Sequence, residues 1–222
     1  MSAADPQGAY AYVAAHAEEV VHRTLEHLAL AGGATVAAML LAIPLGVWAT
    51  RHPRAERPIL SFVDLVQTIP SLALFGLLLP LPLIGGIGAT PAVVALLLYA
   101  LLPITRTTLV GLRAVDASVR DAARGMGMTS SQLLFQVDLP LAAPTIVAGI
   151  RVAAVTSIGT ATIAAAIGAG GLGTFVFRGV SMVDDRLILL GAVPAALLAA
   201  LVDVLIRAIE WAMRRRSRGP SR

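Results

Sequence analysis

The stretch LALAGGATVAAMLLAIPLGVWA, residues 28–49, contains no charged side chain. A bilayer core about 30 Å thick is crossed by roughly 20 apolar residues in helical form, so this run reads as a membrane span. The whole chain agrees with that reading: of 222 residues, 57% are hydrophobic and 14% charged, far from the balance of a soluble domain. Residues 59–83 form a second apolar run, interrupted by Asp64 and Gln67, with Pro70, Pro80 and Pro82 placed to kink or end it. A third run lies within 84–110, its edges blurred by Gly85, Gly86, Gly88 and Pro91. A fourth, 139–167, contains Arg151, and a fifth, 187–206, contains Asp203. The expected fold class is all-α, a polytopic membrane protein of about five transmembrane helices.

The charged residues test that count. There is no lysine, and all 17 basic residues are arginine. Assigning the loops alternately to two sides puts thirteen arginines on one and Arg23, Arg178 and Arg186 on the other, with Arg151 inside a span. Arginine concentrates in cytoplasmic loops, so the amino terminus is expected outside and the carboxyl terminus inside. The same rule accounts for the pI near 10.6 without nucleic acid as a partner. Residues 1–27 lack an arginine ahead of the first apolar stretch and carry Glu18, Glu19 and Glu26, which argues against a secretory signal. They are expected to form an extracytoplasmic amphipathic segment, followed by a membrane domain, 28–206, and a basic cytoplasmic tail, 207–222.

Absent residues exclude several chemistries. Without cysteine there is no disulfide, thiol nucleophile or cysteine metal site. Without lysine a phosphate-cradling GxxxxGK[ST] loop cannot form, so any ATP the protein depends on is hydrolysed by a partner. No cofactor or metal is expected in this chain, and no catalytic constellation stands out. His16, His22 and His27 are not spaced as an i, i+4 ligand pair. Gly168, Gly170 and Gly173 spell GxGxxG, but they trail an alanine-rich span where a dinucleotide motif needs a strand, turn and helix. Ala161, Ala165 and Ala169 instead suit close helix packing.

One polar segment interrupts the apolar chain on the expected cytoplasmic side: DAARGMGMTSSQLLFQVDLP, residues 121–140. Val119, Ala122, Ala123 and Met126 fall on one face of a short helix begun by Asp116 and ended by Gly125 and Gly127. Thr129 with Gln132 makes a capping-box pattern that starts a second short helix carrying Leu133, Leu134 and Val137. Two readings follow: a helix that seats in a partner's groove, or a solvated loop packed beneath its own spans.

Asp121, Ala122, Ala123, Gly127, Val137, Leu139 and Pro140 resemble, position for position, the EAA motif of permease subunits of binding-protein-dependent ABC importers. Aspartate stands for glutamate and valine for isoleucine. The resemblance implies a type I importer permease fold in which the loop 116–140 is a coupling helix that docks on a separate cytoplasmic ATPase. It further implies a second permease copy or paralogue and an extracytoplasmic substrate-binding protein as partners. Asp121, Ala122, Ala123, Met126, Gly127, Met128, Leu139 and Pro140 would form the coupling site, with Gly127 as the turn. QTIPSLALFG (67–76), ARGMGMT (123–129) and GTATIAAAIGAGGLG (159–173) are similar to permeases that import glycine betaine, choline or carnitine. Methionine importers share the coupling motif, so an amino acid is the alternative solute.

Charges within spans cost about 2.5–3.5 kcal/mol each on insertion scales, which makes them candidates for function or for pairing. Asp64 and Arg106 both fall near the cytoplasmic side, where they can pair. Arg151, about 18 Å into its span, is expected to face a subunit interface or the pathway. Gln67, Thr68, Pro70 and Ser71 set hydrogen-bonding groups beside a mid-span proline, either as a pathway or gate element or as an internally satisfied kink. Thr160 and Thr162 join them as pathway candidates. Aromatic residues make up 5% of the chain and are scattered, so no cage for a quaternary ammonium is evident. An ion-coupled transporter or channel, the reading from another class, would need repeats and a paired acid cluster, and neither stands out.

Overall fold

A computed structural model of the chain describes residues 12–217, and among these it contains helices and no strand. The first eleven residues of the expected 1–27 segment and the last five of the 207–222 tail lie outside the described residues. The long helices are α1 (Ala17–Arg51), α4 (Ala89–Arg113), α6 (Ser130–Ile167) and α8 (Asp185–Ser217). Shorter ones are α2 (Pro53–Thr68), α3 (Ser71–Leu78), α5 (Ala117–Gly125) and α7 (Gly173–Met182). Among the described residues four helices are long and apolar enough to cross a membrane, and α2 with α3 makes a fifth span if the pair counts as one. The expected second span is not straight: its helices meet at 101° around Pro70, which cannot supply the N–H that would continue α2. The first helix is continuous from Ala17, so residue 27 is no break in secondary structure. The third span starts later than its apolar run, at Ala89, because residues 79–88 turn repeatedly, with Leu83, Gly86 and Gly88 at positive φ.

The chain divides into two compact units. Among the described residues, the first comprises 12–34, 69–97 and 155–201, the second 35–68, 98–154 and 202–217. In the first, Leu172, Phe175, Leu187 and Leu190 form a buried cluster. His27 is wholly buried there, its ring Nε2 2.9 Å from the Ile158 carbonyl, which it can meet only as a donor. In the second, Leu112, Leu134, Ala142 and Ile146 are buried together, with Ile43, Val47 and Leu139 against them.

Close approach of helices in the second unit depends on missing side chains. A methyl group at Gly149 in α6 would lie 1.8 Å from Thr107 Oγ1 of α4 and 2.8 Å from the Pro103 carbonyl. At Gly46 in α1 it would lie 2.7 Å from Thr108 Cβ. Between apolar helices in lipid no hydrophobic gain drives association, so backbone proximity of this kind carries the packing. Ion pairs fix α2 against α4. Arg113 Nη1 donates to Glu56 Oε1 at 2.8 Å, and Arg106 Nη2 reaches both Asp64 oxygens at 2.9 and 3.0 Å. As the partners advance along α2 they retreat along α4, so the two helices run antiparallel.

Candidate functional site

Local sequence builds α5 at both ends. At its start the Asp116 carboxylate accepts the Ser118 backbone N–H at 2.8 Å. That bond, and a second to the Ser118 side chain, hold the carboxyl below its ordinary value of 3.8. At its end Gly127 adopts φ +83°, donates to the Arg124 carbonyl at 2.9 Å, and is followed by Met128, whose N–H reaches back to Ala123 at 3.2 Å. These two bonds make a Schellman closure, which favours glycine at the left-handed position. Gly127 alone does this work. Gly125, expected to share it, is the last helical residue and has open space around it.

The capping box at Thr129 and Gln132 is present in both directions: Thr129 Oγ1 accepts from Gln132 N–H, and Gln132 Oε1 accepts from Thr129 N–H at 2.8 Å. What it starts is not a separate short helix. Ser130–Gln132 runs directly into a π-turn, Leu133–Asp138, and on into the spanning part of α6. The Leu139 N–H bonds five residues back to Leu134, and Pro140 follows at once. Proline lacks an N–H and crowds the carbonyl four residues before it, so a widened turn relieves the register there.

A side chain missed by the sequence reading fastens α5 in place. Arg120 Nε donates to Asp138 Oδ1 at 2.7 Å, and its Nη2 donates to the Leu112 carbonyl at 2.5 Å. One guanidinium thus ties the short helix to the end of α4 and the start of α6. Ala123 seats beneath it, 2% exposed, while Leu139 joins the apolar cluster around Leu134. The expected single apolar face is therefore divided. Ala123 turns inward, whereas Val119 (42% exposed), Ala122 and Met126 (73%) face outward, as do Asp121 and Pro140; Met128 is half-buried. Asp121 makes one long ion pair, 3.5 Å to Arg124.

The other predicted residues are mostly engaged within the chain. Pro103 frees the Tyr99 carbonyl, four residues back in α4, and Gln67 Nε2 donates to that carbonyl at 2.9 Å. Thr68 and Thr162 hydroxyls donate to carbonyls of their own helices, Leu65 at 2.7 Å and Gly159 at 2.6 Å. Pro70 is exposed, Ser71 and Thr160 half-buried. Arg151 Nη1 donates to Asp203 Oδ1 at 2.9 Å, and its Nε lies 3.6 Å from Glu210 Oε2. Asp64 and Arg106 pair, the structural one of the two roles open to them. Neither the Arg120 strut nor the Glu210 contact has a signature in linear spacing, since the partners lie 18 and 59 residues apart.

Residues 42–215 match the family model described as the binding-protein-dependent transport system inner membrane component. Among curated relatives, an osmoprotectant import permease protein, OsmW, of Salmonella typhimurium is 44% identical over 201 residues, 90% of this chain and 94% of the relative. A choline transport system permease protein, OpuBB, of Bacillus subtilis is 40% identical over 192 residues, 86% of this chain and 87% of the relative. An inward-facing structure of the MetNI methionine ABC transporter superposes with a TM-score of 0.80 at 24% identity, over 87% of this chain and 95% of that one, a likeness of fold. The apolar helices, the capped segment between α4 and α6 and these matches lead to one conclusion: the chain belongs to the family of inner membrane components of binding-protein-dependent transport systems.

Proposed function

We propose that the chain is the permease subunit of an ATP-driven importer of an osmoprotectant such as glycine betaine, choline or carnitine. The observation that carries this reading is 44% identity to an osmoprotectant import permease over 94% of that protein's length. The chain pairs with a second copy or a paralogue, and a substrate-binding protein delivers solute at the outer face. The amino terminus is outside and the carboxyl terminus in the cytoplasm, as the arginine distribution supports. Cytoplasmic ATPase subunits dock on the outward face of α5, through Val119, Ala122 and Met126, with Asp121 at its edge. Movement of α5 passes to α4 and α6 through Arg120, because its bonds to Leu112 and Asp138 leave the short helix little independent freedom.

Thr68, Pro70, Ser71, Thr160 and Thr162 are the proposed pathway or gate residues. Gln67 serves them indirectly by holding the proline-opened turn of α4, and Arg151 acts as a brace to Asp203 rather than a solute contact. Similarity to the methionine transporter supports the fold, whereas the sequence relatives favour an osmoprotectant as solute. Ion coupling is disfavoured because Asp64, Asp203 and Glu210 are each held by an arginine.

Reconstitution with the ATPase and binding protein tests the reading. Uptake of labelled glycine betaine that requires ATP is expected, with unlabelled choline, carnitine and methionine ranking the solutes by competition. Uptake driven by an ion gradient without ATP would overturn it.

A further inference from the structure

In the second unit a cavity of about 390 Å³ opens between the ends of α1 and α4, the helix α5 and the start of α6. Four arginines line it: Arg51, Arg113, Arg120 and Arg124, against a single carboxylate in the wall, Asp138. They come from three different helices, so topological enrichment of arginine in loops does not by itself bring them to one cavity. Their donors are unequally used. Arg113 is taken by Glu56, and Arg120 by Asp138 and the Leu112 carbonyl. Arg51 donates to the Ser130 carbonyl at 3.2 Å, and no carboxylate among the described residues lies within ion-pair distance of it. Among the described residues the Arg124 side chain has only the exposed contact with Asp121 at 3.5 Å. A guanidinium carries five N–H donors in a fixed fork, so both keep most of their capacity beside the cavity.

We infer that this cavity binds a phosphate group. Guanidinium forks match the oxygens of a phosphate bidentately, and a phosphate, with more oxygens and more negative charge than a carboxylate, can receive forks from Arg51 and Arg124 at once. The buried Leu112, Leu133 and Leu134 also line the cavity. Such a lining suits a phosphate ester with a carbon chain attached as well as the free ion. The phosphate would be supplied by an anionic lipid headgroup or by soluble phosphate. Its binding would join the end of α1 to α5 and relieve repulsion among the four cations. The inference does not rest on the transport reading, since it concerns the chain alone.

The full chain in phosphatidylcholine nanodiscs, with and without phosphatidylglycerol, provides the test. Lipid retained on the protein is measured by native mass spectrometry, and inorganic phosphate is titrated against chloride and followed by thermal unfolding. Arg51→Gln with Arg124→Gln should weaken retention or the phosphate shift by about tenfold or more, as loss of charge-assisted bonds requires. Arg54→Gln with Arg57→Gln, on the first turns of α2, should leave both unchanged. Phosphatidylglycerol retained without a response to free phosphate assigns the lipid as source, and the reverse assigns the ion. Three results would overturn the inference. The first is no binding of either probe above the phosphatidylcholine and chloride background. The second is equal loss in the Arg54 and Arg57 variants. The third is loss of ATPase association in the Arg51 and Arg124 variants with no phosphate binding, which would give the cavity to a protein carboxylate.

Discussion

The segment between α4 and α6 and the interiors of the long helices dispose of their side chains in opposite ways. In α5 the structural polar groups turn back on the chain, Asp116 to Ser118 and Arg120 to Asp138, while Val119 and Met126 are left outside. Along the spans polar groups are engaged within the chain, Gln67 by Tyr99, Arg106 by Asp64 and Arg151 by Asp203, and the large hydrophobic side chains left exposed include leucines such as Leu40 and Leu197. Exposed leucine costs nothing against lipid tails, which are equally apolar. The same exposure on a polar segment is unspent hydrophobic surface, and there it points to a partner protein.

The interior half of this comparison breaks most severely at Gly149. Gly149→Val places a methyl where Thr107 Oγ1 already stands, and overpacking of this kind costs about 1–3 kcal/mol or more. Recovery of monodisperse protein from detergent should fall sharply; normal recovery would mean α4 and α6 are not in close contact. Next comes the strut. Arg120→Ala should lower stability by roughly 1–3 kcal/mol, as for bonds to charged groups, and reduce ATPase co-purification. Arg120→Lys, which keeps the charge but not the fork, should fall between. Unchanged thermal unfolding and association in Arg120→Ala would remove the strut from the mechanism. The smallest effect sharpens the turn: Gly127→Ala should cost about 1–2 kcal/mol because its φ is left-handed. Gly125→Ala should instead stabilise by about 0.5–1 kcal/mol, since a helical glycine with free space gains from a methyl. Equal effects at the two glycines would contradict the Schellman closure.

Legibility in the sequence followed the range of the interaction. Hydropathy located the spans because each is a local property of some twenty residues, and the caps at Asp116 and Thr129 were readable because both partners lie within three residues. Gly127 was readable for the same reason, though not its difference from Gly125, which depends on which residue completes the final helical turn. The bend at Pro70 was signalled by the proline, but its size was not. Gln67 appeared as a gate candidate because its acceptor, the Tyr99 carbonyl, is freed by a proline 36 residues further along the chain. The division of the α5 face was hidden too: periodicity grouped Ala122 with Ala123, and only the packing beneath α5 separates them.

The absence of cysteine allows a direct test of the central claim that the outward face of α5 meets a separate ATPase. A single cysteine is introduced by Met126→Cys, or by Val204→Cys on an exposed face of α8, and each chain is cross-linked in the presence of the ATPase subunit. A covalent product between the chain and the ATPase from Met126→Cys, and none from Val204→Cys, is the expected result. No product from Met126→Cys with an ATPase that still co-purifies, or equal products from both sites, would contradict it.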